Sequence, residues 1–153
     1  LKLATIYRPL NNFLINPVME HFRRSYVCKN QIKKGIKGVK ETVEYLKKNY
    51  SIALMIDQRV SEGKRLPFFE NLALTTTLPA QLALKYNLDI VPVYISRKKN
   101  NKFEMEVYEP IKIFNNEETE TKKLDITLQL NKILEQMIAK DPSQWIWTHN
   151  RWK

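Results

Sequence analysis

Four places in this sequence hold residue types that suit gripping an anion. Arg8 follows the apolar run "KLATIY" and precedes Pro9. Asp57, Gln58 and Arg59 follow "IALMI", and Arg97 closes "IVPVYIS". The final stretch "PSQWIWTHNRWK", Pro142 to Lys153, sets His149 and Arg151 among Trp145, Trp147 and Trp152. A guanidinium is a planar fork of donors that meets two phosphate or carboxylate oxygens at once, so the chemistry suggested is anion binding. Asp57 and Gln58 would orient a bound group, or cap their own loop by pairing with Arg59 or Arg65. The alternative for each arginine is an ordinary solvated side chain.

Covalent and proton-transfer chemistry has no comparable signal. His21 sits between Glu20 and Phe22 in a helical pattern and reads as a surface histidine, while His149 could equally donate to a backbone carbonyl. The chain has no Gly-x-Ser-x-Gly, no Walker loop and no Cys/His metal spacing, so neither metal nor cofactor is expected. The single cysteine, Cys28, excludes an internal disulfide.

The elements that must position these residues alternate. "LKLATIY" reads as a strand ended by Arg8-Pro9. In "NPVMEHFRRSYVC" Asn16 suits an N-cap and Pro17 the first helical position, with Val18, Phe22 and Tyr26 on one face. A second helix, "IKGVKETVEYLKKN", repeats Ile36, Val39, Val43 and Leu46 at helical spacing. "SIALMI" and "LDIVPVYISR" read as strands buried on both faces, and "KFEMEVYEP" as a more exposed one. "TLPAQLALKYN" is a helix with Pro79 early and Asn87 as its stop. "LDITLQLNKILEQMIAK" is a long helix with Ile126, Leu130, Ile133, Leu134, Met137 and Ile138 facing a core. "DQRVSEGKRL" and "NNEETETKK" are polar connectors.

That order predicts an α/β fold, an αβα sandwich around a mixed sheet. Ligands of such sheets gather beyond the strand carboxyl ends, which would bring "YRPLNN", "DQRVSEGKR" and "SRKKNN" to one crevice. The chain holds 153 residues, enough for one domain, with no run near the ~20 apolar residues of a membrane span. Its net charge is +10, which draws nucleic acid, anionic lipid or acidic protein. Leu1 lies inside a predicted strand and is not methionine, so an N-terminally truncated piece is expected.

The series "YRPLNN", "LMIDQ", "LPFF", "TTTLPAQLAL", "IVPVYISR" and "PSQWIWTHNRWK" resembles the lipid A biosynthesis acyltransferases, the lauroyl and myristoyl transferases of Gram-negative bacteria. The resemblance runs from about Ile6 to Lys153, and the ending Trp-x-Trp-x-His-x-Arg-Trp-Lys is its most specific part. It implies a glycerolipid acyltransferase-like fold, of which residues 1–153 are the C-terminal part of a single domain. It also implies transfer of an acyl chain from acyl carrier protein thioester to a phosphorylated glucosamine lipid at the cytoplasmic face of the inner membrane. The family's His-x4-acid motif is absent from these residues and is expected N-terminal to them, with a membrane helix. Arg8, Arg97 and Arg59 would hold acceptor phosphates, Asp57 and Gln58 the sugar, and the Lys29–Lys40 stretch the acidic carrier. The family usually places glycine where this chain has Glu70 and Leu78.

For the tail, two roles follow from residue type: a clasp of Trp145 and Trp147 on the domain with Arg151 directed into the crevice, or aromatics and cations at a membrane interface. The rival to the whole reading is a basic nucleic-acid-binding module using Lys29–Lys40 and the tail as a stacking platform. A further rival is a membrane-surface-binding module without catalysis. No nucleic-acid motif is present, so no nucleic acid is expected as partner.

Overall fold

Leu3–Tyr7 forms the first strand (β1), and Arg8-Pro9 ends it as the sequence predicts. In the computed structural model, which describes residues 1–60, 62–113 and 119–153, the chain divides into two compact units, Leu1–Met55 and Ile56–Lys153. The predicted connectors around Ser61 and Asn115–Glu118 lie partly outside the described residues.

In the first unit, β1 is flanked by β2 (Asn30–Lys33) and β3 (Ser51–Ala53) in a parallel sheet of order β2-β1-β3. Parallel neighbours need crossover connections. These are α1 (Asn16–Phe22), continued by a π-helical turn over Arg23–Val27, and α2 (Ile36–Lys47). Asn16 lies inside the first turn of α1 and does not cap it. Asn12 Oδ1 accepts from Leu14 N (3.0 Å) and Ile15 N (3.2 Å) at that end, while Asn16 Oδ1 accepts from Leu10 N at 2.8 Å. Ala4 and Ile32 are fully buried at the sheet.

Two helix faces differ from their predicted orientation. α2 buries Gly38 and Thr42 and leaves Ile36 and Val39 exposed. A Cβ on Gly38 would stand 1.9 Å from the Lys33 carbonyl oxygen, so the helix turns its smallest residue to the end of β2. Close approach here outweighs hydrophobic spacing. α1 is turned with its polar side inward. Glu20 accepts from Asn16 Nδ2 at 2.7 Å, pairs with Lys33 Nζ at 2.9 Å, and lies beside the buried Tyr7 hydroxyl. Val18, Phe22 and Tyr26 are exposed on the other side.

The second unit begins with the antiparallel hairpin β4 (Lys64–Phe68) and β5 (Asn71–Thr75). Its two turn residues, Phe69 and Glu70, have φ of +47° and +64°, the left-handed pair that suits the twist of a two-residue hairpin. α3 (Leu78–Tyr86) carries Pro79 in its first turn and ends at Asn87, φ +50°, as predicted. Leu78 is its first helical residue, a position that asks for no glycine. β6 (Val93–Arg97) and β7 (Phe103–Val107) form a second antiparallel hairpin, and α4 (Thr119–Lys140) follows. α4 buries Ile126, Leu130, Met137 and Ile138, with Ile133 and Leu134 partly buried. One cluster joins Ala80, Ile111, Ile126 and Leu130; another joins Phe68, Ala73 and Ile138 to Trp145 and Trp152.

The architecture is mixed α/β, but the described strands form three small sheets where one mixed sheet was expected. "SIALMI" is a strand only over Ser51–Ala53, and Met55 is exposed. "IVPVYI" begins its strand after Pro92, which has no N–H to give a ladder. Among the described residues β6 pairs only with β7, and it leaves Val93 and Ile95 exposed, opposite exposed Val107 and Met105. Neither strand is buried on both faces.

Two outcomes follow from these contacts. Glu70→Gly should stabilise the chain by about 1 kcal/mol, since a left-handed residue with a Cβ costs ~1–2 kcal/mol and glycine returns part of that in unfolded-chain freedom. An unchanged or lower urea midpoint would show that the turn carries no such strain. The second concerns acid. The Lys33 ammonium, the Tyr7 hydroxyl and the Asn16 amide hold the Glu20 carboxyl down from 4.5 to about 2. The folded value is the lower one, so the stability it contributes is present above about pH 4.5 and lost as pH falls toward 2. Glu20→Gln should therefore flatten the acid limb of stability in that window. An acid limb of unchanged steepness, read from urea midpoints at stepped pH, would contradict this.

Candidate functional site

The second unit gathers its site candidates around the C-terminal tail. After α4, Asp141 caps a 3-10 turn over Pro142–Gln144, its Oδ1 accepting from Ser143 N at 3.2 Å. The Gln144 amide then reaches the end of β6 with both of its atoms: Oε1 accepts from Arg97 N at 2.6 Å and Nε2 donates to Arg97 O at 3.2 Å. The same Nε2 donates to Asp141 Oδ2, which fixes the amide's orientation. Five residues on, His149 Nε2 accepts from Arg59 N at 2.8 Å. A neutral imidazole accepting at Nε2 carries its proton on Nδ1, so this histidine is engaged in holding a loop.

The last residues close on the β4–β5 hairpin. Trp152 Nε1 donates to Phe68 O at 2.9 Å, and Arg151 donates from Nη1 to Leu74 O and from Nη2 to Thr75 Oγ1 at 3.0 Å. The Arg151 guanidinium also stands over the Phe68 ring, 5.1 Å from its centroid. Phe68 meets Trp145 at 6.0 Å and Trp152 at 5.7 Å between centroids. α4 also holds the hairpin: Asn131 Nδ2 donates to Pro67 O at 2.7 Å and Glu135 Oε1 accepts from Phe69 N at 2.8 Å.

These contacts place the predicted residues in two groups. Arg151 was expected to point into a crevice; it is 0% exposed, with Nη1 and Nη2 donating to the hairpin. Burial pushes its guanidinium below the ordinary value, and the Asp57 carboxylate pulls it back up. Asp57 Oδ1 and Arg151 Nε are each buried without a hydrogen-bond partner. Arg59 and Arg97 form the other group: their backbones are pinned by His149 and Gln144 while their side chains are exposed. Gln58 is exposed beside Arg59, and Arg97 lies 5.4 Å from the Phe103 ring centroid. Arg8 is exposed after β1 and belongs to the first unit.

Of the tail aromatics, Trp145 and Trp152 pack on Phe68, while Trp147 stays exposed, its Nε1 donating to Pro142 O at 2.7 Å. Trp147 still meets Trp145 edge to face at 4.6 Å. Sequence reasoning missed Gln144, Asn131 and Glu135. Gln144 contacts a residue 47 positions away, and nothing local signals such a pairing. Asn131 follows Leu130 on the core side of α4, and a buried amide there is the one readable sign of a polar anchor. Chemically, the arrangement offers exposed guanidinium groups on a fixed backbone, suited to anion binding. Among the described residues, no helix is long and apolar enough to cross a membrane.

The strap makes a stability contrast testable. Arg151→Met should lower unfolding free energy by about 3 kcal/mol, since it strands Leu74 O and Thr75 Oγ1 and leaves Asp57 without its facing charge. Arg97→Met should stay within about 0.5 kcal/mol, as an exposed substitution away from such networks does. Equal losses in urea unfolding would mean that Arg151 does not hold the hairpin.

The family model described as bacterial lipid A biosynthesis acyltransferase matches residues 1–153. None of the curated proteins compared matches the chain.

Proposed function

The chain belongs to the bacterial lipid A biosynthesis acyltransferase family, and on that premise we propose that it serves acyl transfer from an acyl carrier protein thioester to a hydroxyl of a phosphorylated glucosamine lipid. The observation that carries this reading is the family match along all of residues 1–153. We place these residues as the C-terminal part of one acyltransferase domain with a glycerolipid acyltransferase-like αβα fold, working at the cytoplasmic face of the inner membrane.

In this reaction the acceptor hydroxyl oxygen attacks the thioester carbonyl, the C–S bond breaks, and the carrier's thiol leaves. A general base takes the hydroxyl proton and returns it to the departing sulfur. No histidine in these 153 residues has an acid five positions on, so the base is assigned to a His-x4-acid motif N-terminal to Leu1. Arg8, Arg59 and Arg97 are assigned to the acceptor's phosphates, because all three are exposed and a guanidinium fork matches phosphate oxygens. Asp57 and Gln58 are assigned to the sugar. Arg151, already spent on the hairpin, acts on the substrate only by fixing the loops around it.

The test is acyl transfer from carrier thioester to the phosphorylated acceptor, assayed with the segment N-terminal to Leu1 present. Arg8→Lys should reduce kcat/KM by about tenfold or more, the equivalent of ~1.5–3 kcal/mol for a hydrogen bond to a charged group. Lysine keeps the charge and loses the fork. Unchanged kinetics would remove Arg8 from the site, and turnover by residues 1–153 alone would overturn the assignment of the base.

A further inference from the structure

The first unit wears its apolar side outward. Between Leu10 and Val27 no residue is buried. The polar side chains of this segment, Asn16, Glu20 and Arg23, are the ones that reach Leu10, Lys33 and Tyr7. Opposite them stand Phe13 (80% exposed), Leu14 (70%), Val18 (53%), Phe22 (50%) and Tyr26 (80%). Phe22 and Tyr26 stack on each other at 5.8 Å in that exposed position. A surface helix ordinarily faces its apolar stripe to the core; this one has given its polar stripe to the unit and kept the apolar one free.

Charge says what such a face fits. Residues 1–55 hold eleven Lys and Arg against three Glu, a net +8 of the whole chain's +10. Exposed Arg24 belongs to the same helical segment and exposed Lys29 follows it. Apolar rings on a helix set in a strongly cationic unit are the complement of an anionic lipid surface, where rings lie at the acyl boundary and cations meet headgroup phosphates. A protein partner would have to match both the apolar face and the excess positive charge.

We propose that the outward face of Phe13–Tyr26 is a monolayer-docking surface that lays the first unit on anionic phospholipid. The choice of lipid as occupant rests on the proposed function, whose acceptor is itself a lipid; the face rests on the geometry alone.

The experiment is co-sedimentation of the 153-residue chain with acceptor-free vesicles of phosphatidylglycerol and phosphatidylcholine, or of phosphatidylcholine only. Phe22→Ser/Tyr26→Ser should weaken partitioning to the anionic vesicles by at least roughly tenfold, from the lost apolar burial. Arg24→Gln should weaken it by about fivefold, the worth of one cation at such a surface, and leave the neutral vesicles unaffected. Ile95→Ser, which removes an apolar side chain exposed on β6, should leave partitioning unchanged. Circular dichroism melts like the parent's confirm that the variants are folded. Partitioning lost with Ile95→Ser and kept in the α1 variants would overturn the proposal. So would a chain that ignores vesicles and forms a concentration-dependent dimer abolished by Phe22→Ser/Tyr26→Ser. Acyl transfer to detergent-dispersed acceptor, measured separately, distinguishes the two readings. With the segment N-terminal to Leu1 present in both assays, transfer without vesicle binding sinks the docking face alone, and binding without transfer sinks the proposed function alone.

Discussion

Arg151 brings a full charge into the second unit and has no exposed surface of its own. Such burial is tolerable only where the charge is met by polar partners. Here the Leu74 carbonyl, the Thr75 hydroxyl and the Phe68 ring receive it, with Asp57 as the facing anion. Thr75 Oγ1 is also reached by Asn131 Nδ2 at 3.4 Å, so the tail and α4 hold the β4–β5 hairpin at one shared hydroxyl. Because Arg151 must sit there, the residues before it are drawn across the unit. That path is what carries His149 to Arg59 N and Gln144 to Arg97.

A consequence is a division of labour among the arginines. One is consumed as a structural pin, and its guanidinium is out of reach of any solute. Arg59 and Arg97 are instead held at the main chain by the tail's side chains while their own remain free. Fixing the backbone lowers the ordering cost of binding an anion, and an exposed guanidinium keeps the donors that would bind it. The tail can therefore shape a proposed phosphate site without touching the phosphate. This also bears on cations and aromatics alternating at the chain's end: Trp145 and Trp152 pack on Phe68, the ring over which the Arg151 guanidinium stands.

Local chemistry was legible wherever a residue's own backbone decides the outcome. Arg8-Pro9 ends β1, Pro79 opens α3, and Asn87 closes it in the left-handed region. The core stripe of α4 could be read because six apolar residues at helical spacing leave the helix one way to turn. What failed was burial. "SIALMI" and "IVPVYI" are apolar enough for covered strands, yet whether a strand is covered depends on what lies above it, and composition does not contain that. α2 failed for another reason: a single Gly38 against the Lys33 carbonyl redirected the helix. Among site residues, the arginine positions stood out by type, whereas Gln144 was silent because amides have no pattern until their partner is known.

The two units handle charge in opposite ways, and the difference bears on what each is for. The second unit carries thirteen acids against fifteen Lys and Arg, and ties several of them internally, as in Lys98–Glu104 at 2.8 Å and Lys140–Glu106 at 2.5 Å. Exposed pairs of this kind add little to stability, and the near balance of acids and bases leaves the unit at a net +2. The first unit is left at +8, and its Glu20 is turned inward to Lys33. Self-repulsion in so small a body is unfavourable unless an external anion screens it. A nearly neutral unit with pinned guanidinium groups suits recognition of one anionic group at a defined place. A strongly cationic unit with an outward apolar helix suits adhesion to an extended anionic surface. The proposed acyl transfer to a phosphorylated lipid at a membrane would draw on both.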